Sequence, residues 1–139
     1  MRTSGIVKVL VICVMSMMLD GCVTGPSDHE LISNAMVGWK SAFEKQDVDK
    51  MMAEYSENYE GDSGEGKEQI REFYEYMKRD GSFENARMDT NEAKIVIDAD
   101  RATVGPILYT GNWGEMRFTR MLKKEEDNVW RVIGGRQEY

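Results

Sequence analysis

The chain has 139 residues, with 25 acidic and 18 basic side chains and a formal net charge of −7. This length corresponds to one domain with a modest hydrophobic core. An acidic surface repels phosphate backbones, so we do not expect nucleic acid as a partner. It also repels anionic lipid headgroups, so a membrane attachment would have to come from a lipid anchor and not from a basic patch.

The first residues have the layout of a bacterial secretion signal. Arg2 and Lys8 are followed by an apolar run over 9–19 and then by small residues. The run is too short for a transmembrane helix, which needs about 20 residues. A buried N-terminal helix of a soluble domain is the alternative, but the run has no polar stripe to face water.

The second cysteine follows this run directly. Leu19-Asp20-Gly21-Cys22 resembles the lipobox of bacterial lipoproteins, in which the cysteine receives a diacylglycerol and becomes the N-terminus after cleavage. Asp20 departs from that pattern, and an ordinary signal peptide cleaved after Gly25 is the alternative. The resemblance implies a signal peptide over 1–21, a tether over 22–29 and a domain over 30–139. It also implies attachment to the cell envelope through acyl chains on Cys22. In a host with two membranes, Val23 resembles the sorting pattern for the periplasmic side of the outer membrane.

Three helices are predicted before the first strand. Apolar residues recur at intervals of three and four over 29–45, with Asp28 as a candidate N-cap. Asp47 is expected to cap a second, shorter helix. After a glycine-rich acidic loop, a third helix is predicted over 67–79, with Gly81 placed to end it.

Four strands are predicted after Gly81, over 84–97, 101–109, 115–123 and 129–133. Gly105-Pro106 predicts a bend or bulge in the second of them. Helices followed by a run of antiparallel strands indicate an α+β domain with its helices on one face of the sheet.

Three local patterns resemble the nuclear transport factor 2-like (NTF2-like) superfamily in its SnoaL-like branch. They are GKEQIREFY at 66–74, IVIDADRATV at 95–104 and LKKEEDNVWRV at 122–132. The resemblance implies a cystatin-like, cone-shaped fold in which a curved antiparallel sheet wraps around three helices and leaves an apolar pocket. Domains of this family often dimerise through the open sheet, so a homodimer is possible.

Enzymes of this family place an Asp or His deep in the pocket, where burial shifts the pKa toward the working pH. The single histidine, His29, lies beside the tether. Asp89 and Glu92 fall on the first predicted strand, and one of them could point inward. The sequence does not determine which, because a shift of one residue reverses the side of the sheet on which each side chain lies. We therefore predict no catalytic residue, no metal and no cofactor, and leave an isomerase-type or dehydratase-type enzyme as an alternative.

The aromatic residues suggest a ligand pocket. Candidate wall residues are Trp39, Tyr55, Tyr59, Tyr74 and Trp113, with Arg117 as a polar anchor and Arg120 as its alternative. Aromatic residues at helical spacing are usually core, and this is the favoured interpretation of Trp39, Tyr55 and Tyr74. The leading hypothesis is a non-catalytic lipoprotein that binds a small apolar ligand or a partner protein. The alternatives are the enzyme and a structural envelope lipoprotein without a ligand.

Overall fold

The computed structural model describes residues 25–139, so the expectations for the secretion signal, for Cys22 and for the start of the tether over 22–24 lie outside the described residues. The described helices are α1 (Asp28–Glu44), α2 (Val48–Ala53) and α3 (Lys67–Asp80). The strands are β1 (Arg87–Asp89), β2 (Lys94–Asp98), β3 (Arg101–Gly111), β4 (Gly114–Lys124) and β5 (Trp130–Glu138). Within this part of the chain, none of the helices is long and apolar enough to cross a bilayer.

Helix α1 begins one residue earlier than predicted and is capped by Ser27 instead of Asp28. The Ser27 hydroxyl accepts a hydrogen bond from the Glu30 amide, and the Glu30 carboxylate accepts one from the Ser27 amide. This reciprocal capping box satisfies two amides that the helix leaves without partners. Asp28 is thereby free to contact the sheet.

The predicted start of α2 at Asp47 and the predicted end of α3 at Gly81 are both confirmed. The Asp47 carboxylate accepts a hydrogen bond from the Lys50 amide and caps α2. Gly81 ends α3 in the left-handed region with φ of 81°, where a residue without Cβ is favoured. The loop between these helices contains isolated bridges and no regular strand.

The sheet is antiparallel and centred on β3 and β4, with β5 on the far side of β4. β1 and β2 both pair with β3, at opposite ends of it. The single strand predicted over 84–97 is therefore wrong. The chain turns after Asp89, whose carboxylate accepts a hydrogen bond from the Asn91 amide, and this break lies opposite the β3 bend.

The predicted bend in β3 is confirmed, since the β3–β4 register shifts between Val104 and Ile107. A Cβ on Gly105 would overlap Thr119 of β4, so the two strands approach too closely there for a side chain. The strands curve around the three helices. The expected α+β architecture, helices packed on one face of a curved antiparallel sheet, is what the structure shows.

Candidate functional site

A cavity of about 430 Å³ lies among α3, the loop between α2 and α3, and the sheet. Aromatic side chains dominate its lining: Phe43, Tyr55, Tyr59, Phe73, Tyr74, Tyr109, Trp113 and Phe118. Aliphatic and thioether side chains fill the gaps between the rings: Ile70, Met77, Met116 and Val132. Walls of this composition favour a ligand with an apolar body, because they offer few hydrogen-bond partners.

Four of the five predicted wall residues line this cavity: Tyr55, Tyr59, Tyr74 and Trp113. The Tyr55 and Tyr59 rings meet edge to face with centroids 4.9 Å apart. The Tyr55 and Tyr74 hydroxyl oxygens are 3.1 Å apart and share a hydrogen bond. These contacts join the end of α2, the following loop and α3 into one wall.

Trp39 does not line the cavity. Its side chain is only 3% exposed and belongs to the core. Its ring lies below the cavity floor, with the guanidinium carbon of Arg120 4.6 Å from the ring centroid. Trp39 therefore supports the site from behind, by a cation–π contact.

Arg117 lies outside the cavity and cannot be its anchor. The Arg117 side chain is solvent-exposed and pairs at the surface with Glu92 at 3.7 Å and Glu115 at 3.6 Å. Arg120, three residues further along β4, lines the cavity instead. Side chains alternate along a strand, so residues three positions apart face opposite sides of it.

Arg120 is the polar centre of the site. Its side chain is 6% exposed and its Nε donates to the Tyr109 hydroxyl at 3.1 Å. Its Nη1 donates to Oε2 of Glu54 at 3.0 Å. These contacts, together with Trp39, fix the plane of the guanidinium.

Glu54 is the important residue that the sequence analysis missed. It caps the C-terminus of α2, and its side chain is only 10% exposed. Burial raises the pKa of Glu54 to about 7, and the neighbouring Arg120 opposes this rise. The available signal was weak: Glu54 follows Met51 by three residues, at the edge of the apolar stripe of α2.

Tyr59, Tyr74 and Tyr109 are neutral hydrogen-bonding groups in the cavity lining. Burial raises the pKa of Tyr109 to about 12 and the pKa of Tyr74 well above its ordinary value. Burial also raises the pKa of Tyr59. A phenol with such a pKa stays protonated near neutral pH, so these residues can donate to or accept from a ligand but do not act as bases.

The acids considered as candidate bases lie outside the cavity. Asp89 and Glu92 are both exposed, and His29 is exposed near the start of α1. Glu65 is the one carboxylate among the described residues that line the cavity, and its Oε2 accepts a hydrogen bond from the Ser63 amide. Over residues 25–139, no three His, Cys, Asp or Glu side chains are grouped to hold a metal ion.

No protein-family model and no curated protein matches the sequence. Among solved structures, Bd1075 of Bdellovibrio bacteriovorus superimposes with a TM-score of 0.66 at 19% identity over 77% of this chain, which spans 40% of that protein. An NTF2-like protein of unknown function from Shewanella oneidensis gives a TM-score of 0.60 at 18% identity, covering 80% of this chain and 98% of that one.

A proposed ketosteroid isomerase from Shewanella frigidimarina is similar to the same extent. It has a TM-score of 0.61 at 14% identity and covers 78% of this chain and 94% of its own. Identities at this level establish shared architecture and not shared activity. The chain therefore has the NTF2-like fold expected from its local sequence patterns.

Proposed function

We propose that this protein is an exported lipoprotein of the cell envelope, anchored through Cys22, whose SnoaL-like domain binds a small apolar ligand without transforming it. The cavity carries this proposal. Its volume of about 430 Å³ and its walls of aromatic rings around one buried arginine suit a small molecule with an apolar body.

The placement of Glu54 argues against a catalytic role for this carboxylate. A general base has to lie within hydrogen-bond reach of its substrate. Glu54, the buried carboxylate, is not among the residues that line the cavity. The ion pair of Glu54 with Arg120 accounts for its position without a catalytic role.

An isomerase-type or dehydratase-type enzyme is the second candidate. The observation in its favour is the pKa of Glu54, which burial raises to about 7, because perturbed carboxylates cluster at active sites. This candidate requires Glu54 to reach the bound substrate. An apolar ligand released chemically unchanged after prolonged incubation supports the binding function over the enzyme.

The cavity is tested with 4-phenylbutanol, a neutral molecule with an aromatic body. We expect saturable 1:1 binding to the protein, purified as the cell processes it, in isothermal titration calorimetry. Met116→Trp adds bulk to the cavity lining and should weaken this binding at least about ten-fold, which is about 1.4 kcal/mol. Met121→Trp, at an exposed position on the same strand, is the matched control and should bind as the wild type does.

If neither 4-phenylbutanol nor its acid analogue 4-phenylbutyrate gives saturable heat, the cavity is not a ligand site. Equal weakening by the two tryptophan substitutions would place the binding elsewhere on the protein.

The anchor is tested separately at the two cysteines. We expect mass spectrometry of the mature protein to find an acylated N-terminal Cys22, because multiple acyl chains give stable membrane attachment. Cys22→Ser should release the protein from the membrane fraction, whereas Cys13→Ser, within the signal peptide, should not. An unmodified Cys22 thiol, or an N-terminus beyond Cys22, contradicts the proposed anchor.

A further inference from the structure

The guanidinium of Arg120 offers more hydrogen-bond donors than the protein uses. Arginine carries five N–H groups, of which Nε donates to Tyr109 and Nη1 to Glu54. Within residues 25–139, Nη2 has no acceptor. The only described fully buried side-chain nitrogen or oxygen without a partner is the indole nitrogen of Trp113, so Nη2 is not fully buried, and Arg120 is one of the residues that line the cavity.

From this arrangement we propose that the cavity selects an apolar monoanion, a carboxylate with an aromatic or aliphatic body, and binds the carboxylate through Nη2 of Arg120. This inference rests on the proposed ligand-binding function and specifies its ligand class. Nη2 carries two N–H groups, and a hydrogen bond from a guanidinium to a carboxylate is charge-assisted and therefore strong.

The existing partner of Arg120 leaves room for this ligand. Glu54 engages the guanidinium through one oxygen and one nitrogen, and does not occupy both donors of an edge. Burial raises the pKa of Glu54 to about 7, so near neutral pH Glu54 only partly neutralises the guanidinium. A ligand carboxylate supplies the missing negative charge beside a guanidinium whose side chain is only 6% exposed.

The charge of the ligand is limited by the rest of the lining. Arg120 is the only basic residue among the described residues around the cavity, and Glu65 is the only acidic one. A single cation matches a single carboxylate, whereas a phosphate dianion would retain an unpaired buried charge. The guanidinium is also fixed in advance by Trp39, Tyr109 and Glu54, so little ordering is needed on binding.

The test compares three molecules of one shape and different charge: 4-phenylbutyrate, 4-phenylbutanol and 4-phenylbutylamine. In calorimetric titration of the protein as the cell processes it, at pH 7, we expect the acid to bind at least about ten-fold tighter than the alcohol. The amine should bind most weakly. In the same protein labelled with ¹⁵N, the Arg120 Nε–H signal should shift with the acid and not with the alcohol.

A matched pair of double variants locates the effect. Glu54→Gln/Arg120→Gln replaces the buried ion pair with two amides and should reduce the preference for the acid to less than about two-fold. Glu92→Gln/Arg117→Gln removes an ion pair at the surface and should retain the full preference.

Alcohol binding as tight as acid binding overturns the anion inference and leaves the ligand site standing. A preference for the acid that survives in the folded Glu54→Gln/Arg120→Gln protein also overturns it. Binding of none of the three molecules refutes the ligand site itself. If the Glu54→Gln/Arg120→Gln protein does not fold, two measurements on the wild type still test the preference for an anion. They are the affinities of the three molecules and the shift of the Arg120 Nε–H signal.

Discussion

Trp130→Ala is expected to lower the free energy of unfolding by about 3–5 kcal/mol, the range for truncating a buried large aromatic side chain. Trp130 begins β5, and its side chain is 5% exposed. Its indole nitrogen donates to Oδ1 of Asp28 at 3.0 Å, and Lys124 donates to the same oxygen at 2.8 Å. The ring therefore joins the first turn of α1 to the sheet.

Two further substitutions separate packing from hydrogen bonding. Val129→Ala removes a neighbouring side chain that is 45% exposed, and should change stability by less than about 0.5 kcal/mol. Trp130→Phe keeps most of the apolar volume but loses the bond to Asp28, and should cost about 1–2 kcal/mol. Chemical denaturation measures all three. A loss below about 1 kcal/mol for Trp130→Ala would mean that this ring contributes little to the core.

The architecture was predictable because its signals are local and redundant. Apolar periodicity located all three helices, Asp47 and Gly81 marked a start and an end, and Gly105-Pro106 marked the bend of β3. The error over 84–97 has a different origin. A break in one strand at a bend in its partner depends on pairing between distant residues, and a single stretch of sequence does not contain that information.

The candidate site was only partly predictable. The side of its helix or strand on which a residue lies decides whether its side chain reaches the cavity. Tyr55, Tyr59, Tyr74 and Trp113 line it, but Trp39 supports it from the core. Arg117 and Arg120 were both candidates for the anchor, and a shift of one residue reverses the facing of a whole strand. Glu54 gave almost no signal, because an acid at a helix end is ordinarily a surface residue.

The ion pair between Glu54 and Arg120 leads to a prediction about pH. Burial raises the pKa of Glu54 from an ordinary 4.5 to about 7, so the folded protein retains a proton that the unfolded chain releases. The free energy of unfolding therefore decreases as the pH rises from about 4.5 to about 7. Below and above that window, the contribution of Glu54 to stability does not change with pH. A difference of this size corresponds to about 3 kcal/mol.

The variant Glu54→Gln isolates this contribution, because glutamine has the shape of the acid and does not titrate. Hydrogen bonds lower the pKa values of Asp28, Asp47 and Asp127, so these three groups change stability with pH in the opposite direction. They are common to both proteins and cancel when the two unfolding free energies are subtracted at each pH. The wild type should lose about 3 kcal/mol relative to Glu54→Gln between pH 4 and pH 8.

Glu92→Gln is the control, because it removes an exposed carboxylate that pairs with Arg117. Its unfolding free energy should follow a pH profile parallel to that of the wild type. A difference between wild type and Glu54→Gln that stays constant with pH, or that grows in favour of the wild type, would mean that Arg120 keeps Glu54 ionised throughout. In that case the guanidinium is already fully neutralised, and the electrostatic support for an anionic ligand is lost.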